Sequence, residues 1–147
     1  MLKFNANVYA KPADTAFGSS ITLRGKELAT LMHESGGQPR FLATMPNSFE
    51  AIQHQLLETT HSDCEPDGFF LITGHEGETF WRLNGHMHEF QPEGEPEPLM
   101  HRIELNGECP EAIFDLVLSA LGWPEQTLVF ELVQEGVSLE EAELRTY

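Results

Sequence analysis

Two histidines separated by one residue, in Asn84-Gly85-His86-Met87-His88-Glu89, are the side chains of this chain best suited to chemistry. On an extended strand, residues i and i+2 point to the same face roughly 7 Å apart, and two imidazoles so placed can serve one metal ion. His101, in Leu99-Met100-His101-Arg102-Ile103, is the expected third ligand, with Glu89 or His75 assisting. Such a set accepts zinc, nickel, manganese or non-haem iron, so the expected cofactor is a divalent transition metal of unspecified identity. Trp81 shares a face with His86 and His88 in the expected hairpin, and these three mark the place where a ligand would sit.

Positioning those histidines requires a hairpin. Asn84-Gly85 between two alternating runs is a strong signal for a two-residue turn. It predicts that Leu83 faces His86, Trp81 faces His88 and Phe80 faces Glu89. With a preceding turn at Glu76-Gly77, Ile72 would pair with Trp81 and Phe70 with Leu83, giving a three-stranded meander over about 69–90. One of its faces would then carry Phe70, Ile72, Trp81, Leu83, His86, His88 and Phe90.

Periodicity supplies the surrounding frame. Strands are expected at 2–9, 20–24, 40–45, 69–74, 79–83, 86–90, 99–105 and 127–133, each short and rich in Phe, Ile, Leu, Val or Thr. Helices are expected at 26–35, 48–60 and 110–121, with a short one at 138–145. Asn47-Ser48 gives start signals for the second, and Gly122 a stop for the third. The predicted fold is therefore α+β: a mainly antiparallel sheet with two or three helices packed on one face. At 147 residues, with no internal linker beyond the acidic, proline-rich stretch 91–98, the chain reads as a single compact domain.

Charge narrows the list of partners. Residues 1–57 carry four acids and five bases, whereas residues 58–147 carry twenty acids and three bases. An anionic surface repels phosphate backbones and anionic lipid heads, which argues against direct nucleic-acid or membrane binding, and it attracts a basic protein partner. The first functional expectation is accordingly a small acidic binding or regulatory module that is not catalytic. The second is a metal-dependent enzyme or metal sensor using His86, His88 and His101. The third is a structural subunit that homodimerises through an exposed edge at strand 2–9.

Familiar catalytic signatures are absent: the sequence has no Gly-x-Ser-x-Gly elbow, phosphate loop, dinucleotide fingerprint, His-Glu-x-x-His or Cys-x-x-Cys. The alternating start Leu2-Lys3-Phe4-Asn5-Ala6-Asn7-Val8 lacks the apolar core of an export signal, so a cytoplasmic setting with Cys64 and Cys109 reduced is expected. Cys109 falls at a predicted helix start, which lowers a thiol's pKa, but Glu108 and Glu111 oppose thiolate formation there.

Overall fold

The computed structural model describes residues 1–147 and consists of one nine-stranded sheet with three helices. The strands are β1 (Leu2–Ala10), β2 (Thr15–Leu23), β3 (Lys26–His33), β4 (Ser62–Cys64), β5 (Phe69–Glu76), β6 (Thr79–Phe90), β7 (Leu99–Cys109), β8 (Leu128–Leu132) and β9 (Ser138–Glu140). The helices are α1 (Phe49–Thr59), α2 (Glu111–Ala120) and α3 (Glu141–Thr146). Every strand pair is antiparallel, in the order β2-β3-β9-β8-β1-β7-β6-β5-β4.

Strict alternation in β1 explains its place in the sheet. Phe4, Ala6, Val8 and Ala10 turn inward and are buried, with Leu105 and Ile103 of β7 and Phe130 and Leu132 of β8 beside them. With both flanks paired, β1 is interior and offers no free edge, contrary to the expected dimerisation edge at 2–9. The free edges belong to β2 and β4. Against the inner face lie Ile52 and Leu56 of α1, Phe114, Val117 and Leu118 of α2 and Leu144 of α3, all within one continuous core. Ser48 caps α1 by accepting the Ala51 N–H. Arg145 of α3 reaches Asp115 and stacks over Phe114, which ties α3 to α2 on the same face.

Three further expectations of the fold fail, each for a physical reason. The span 26–35 is strand β3. Leu28, Leu31 and Met32 have helical spacing, but pairing with β2 overrides that local preference. Residues 40–45 form no strand. They form an irregular segment in which Phe41 stacks on Tyr9 with ring centroids 3.9 Å apart and the Met45 N–H donates to the Met100 carbonyl.

The third failure concerns the hairpin. Asn84-Gly85 makes no turn; β6 runs unbroken from Thr79 to Phe90. Gly85 lies opposite Phe70, and a Cβ there would stand 2.0 Å from the Phe70 ring. The glycine therefore provides room for an aromatic ring that lies across the neighbouring strand. The turn falls at Gly77-Glu78, where Gly77 supplies φ 63°, so Ile72 pairs with Leu83 and Gly74 with Trp81. The meander is real but longer than predicted, built from β5, β6 and β7 over residues 69–109.

Candidate metal centre

An unbroken β6 splits the face predicted from the hairpin. Trp81, Leu83, Gly85 and Met87 point into the core, while Arg82, Asn84, His86 and His88 point to the opposite, outer face. Trp81 is thus removed from the histidines. Its indole packs over Gly74 on the inner side, and its buried Nε1 has no protein acceptor.

Pairing with β7 chooses the third member of the cluster. Glu104 stands opposite His86, and Arg102 stands opposite His88. A one-residue slip between His88 and Glu89 makes a bulge at the start of β7, and His101 occupies it. There its Nε2–H donates to the Phe41 carbonyl of segment 40–45 and its ring lies against Tyr9 and Phe90. The structure therefore brings His86 and His88 together and gives the third position to Glu104. His101 anchors the segment that carries Phe41. His75, at the far end of β5, packs its ring against Phe80 and takes no part, and Glu89 follows the bulge.

The donor atoms of His86, His88 and Glu104 all lie within 4.8 Å of one another. The two imidazoles are stacked with centroids 4.5 Å apart. His88 Nε2 is 3.4 Å from Glu104 Oε2, yet it is buried and makes no hydrogen bond. That separation is long for a hydrogen bond, and it matches the distance of about 3.4 Å between two ligands of a tetrahedral ion with bonds near 2.1 Å. His86 Nε2–H donates to the Asp67 carbonyl at 3.2 Å, which assigns the tautomer and leaves Nδ1 as a free lone pair. A histidine whose second nitrogen is held by a backbone carbonyl is the usual arrangement at a metal centre.

The turn that presents Asp67 is itself constrained. Gly68 has φ 106°, and a Cβ there would meet the Met87 carbonyl oxygen at 2.5 Å and the His86 ring at 3.3 Å. The Gly68 carbonyl accepts the Met87 N–H, so the turn is laced to β6 between the two histidines. A pocket of about 230 Å³ opens beside the cluster, lined by Phe69, Asn84, Gly85, His86, Glu104 and Asn106.

Two other groups invite a chemical reading. Asp14, His33 and Ser35 form a chain: the buried His33 donates from Nε2 to Asp14 at 2.9 Å, and Ser35 Oγ lies 2.6 Å from Nδ1. The Ser35 backbone N–H also donates to Nδ1, at 3.1 Å. The lone pair a general base would need is thus shared with an amide that would otherwise serve an oxyanion, so the chain clamps the turn after β3. Cys109 ends β7 in the core, with Pro110 at the helix cap, and burial pushes its thiol up to about 12. The buried thiol is not a nucleophile; neither it nor Cys64 is in a disulfide.

No protein-family model, curated protein or solved structure matches this chain. No helix is long and apolar enough to cross a membrane.

Proposed function

We propose that this protein is a divalent transition-metal protein in which His86, His88 and Glu104 hold the ion on the outer face of the sheet. Supporting this reading above all is the convergence of two imidazoles and a carboxylate within 4.8 Å, with His86 already oriented by the Asp67 carbonyl. Two nitrogens and one oxygen suit zinc, ferrous iron, cobalt or manganese. Three protein ligands leave further positions open, as in metal sites that bind or activate a small molecule rather than brace a fold. The role is Lewis-acid chemistry or ligand sensing at those open positions.

A cobalt(II) titration followed by visible absorption tests the reading. The wild type should saturate at one equivalent, and so should His101→Ala. Glu104→Gln should weaken binding by at least about tenfold. Equal binding by Glu104→Gln would remove Glu104 from the site, and no saturable binding by the wild type would end the proposal.

A second reading, recruitment of a basic protein partner, draws on the charge: only seven of the 24 carboxylates have a cationic or histidine nitrogen within 4 Å. Association steered by that surface should weaken steeply with added salt. Salt-insensitive capture of a partner would favour an apolar interface instead.

A further inference from the structure

The pocket beside the cluster has a composition that specifies its occupant, given the metal reading above. Asn84 of β6 and Asn106 of β7 are direct cross-strand partners, and Asn5 of β1 continues the row on the far side of Asn106. Asparagine is depleted in strand interiors because its side chain packs poorly on a pleated surface. Here three stand in one row on the same face as His86 and Glu104, Asn84 half-buried and Asn5 and Asn106 exposed. None of the three side-chain amides hydrogen-bonds to another protein group, whereas Asn7, one row away, donates to Glu131.

A carboxamide presents two donors and two acceptor lone pairs, which matches a hydroxyl group able to give and receive. Phe69, opposite His86 on β5, is 38% exposed and offers an apolar plate at the pocket's edge. The lining contains no lysine or arginine and one carboxylate, in a chain of net charge −16. An anionic ligand would find no ammonium or guanidinium in the lining to pair with, and an apolar one would leave the amides without partners.

We infer that the open positions of the ion receive vicinal hydroxyls of a neutral carbohydrate, with Asn84 and Asn106 bonding its remaining hydroxyls and Phe69 covering its C–H face. At about 230 Å³ the pocket falls below the roughly 300 Å³ where sites for drug-sized ligands begin, which limits it to about one sugar ring.

Isothermal titration of the cobalt-loaded protein with glucose, galactose and mannose tests this, with glucose 6-phosphate as the anionic control. At least one neutral sugar should bind saturably with Kd on the order of 1 mM and shift the cobalt absorption bands. An Asn84→Ala, Asn106→Ala double variant should keep one equivalent of cobalt and lose at least about tenfold in sugar affinity. Cobalt binding with no response to any neutral sugar would overturn the inference and leave the metal centre standing. Tighter binding of glucose 6-phosphate than of glucose would overturn it as well, as would unchanged affinity in the double variant. Failure to bind cobalt at all would remove the metal reading, and this inference with it.

Discussion

The two faces of β6 are built from adjacent residues and obey opposite rules. Inward, Trp81, Leu83 and Met87 lie in a close-packed core with Phe70, Ile72, Ile103 and Leu105. Outward, Asn84, His86 and His88 are only partly buried and leave hydrogen-bonding capacity unused. The inner face specifies the fold by volume; the outer face spends little stability and keeps its donor atoms available. Substitutions on the two faces should therefore separate cleanly, one set changing stability and the other changing ligands.

The largest effect should come from Phe70→Ala, which removes a fully buried ring and should cost about 3–5 kcal/mol in urea unfolding. A loss under about 1 kcal/mol would mean that the ring is not packed as described. Gly85→Ala comes next. Its methyl group would be driven into the Phe70 ring, and overpacking of this kind costs about 1–3 kcal/mol. A stabilised Gly85→Ala would show that the Phe70 ring does not lie over Gly85.

Gly68→Ala sharpens the comparison because that turn joins the two faces. Its positive φ and the nearby Met87 carbonyl imply a cost of about 1–3 kcal/mol. Displacing the Asp67 carbonyl should also lower metal affinity about 10- to 100-fold, measurable by competition with a chelator. Unchanged affinity would show that the carbonyl does not orient His86.

Cys109 gives the inner face a pH signature. Burial holds its thiol protonated in the folded state up to about 12, against the ordinary 9.0. Below about pH 9 both folded and unfolded chains keep the proton, and the contribution to stability is whole. Between about 9 and about 12 the unfolded chain releases its proton first, so stability falls as pH rises. Comparing wild type with Cys109→Ala by urea unfolding at about pH 8 and about pH 10.5 isolates this contribution from those of the tyrosines. The wild type should lose more stability than the variant over that interval, and parallel losses would place the thiol in solvent.

Legibility in the sequence followed the range of the interactions. Helices α1 and α2 were readable because Ser48, Gly122 and the spacing of Ile52, Leu56, Phe114, Val117 and Leu118 are local signals. Strand β1 was readable from alternation, but its central position depends on β7 and β8, which lie about a hundred residues away in the chain. His86 and His88 were readable as a pair because strand periodicity makes any His-x-His co-facial. Glu104 was hidden, since it joins them only through the β6–β7 register and its bulge. Asn84-Gly85 misled because its sequence signal is local, whereas the cause of Gly85 is a ring on the next strand.

Whether the outer face holds a metal is decided by elemental analysis of untagged protein purified without chelator. A His86→Ala, His88→Ala double variant should be prepared alongside. Near-stoichiometric transition metal is expected in the wild type and none in the variant, with unfolding free energies that agree within about 0.5 kcal/mol in chelator. Metal absent from both proteins, or retained equally by the variant, would remove the ion from His86 and His88.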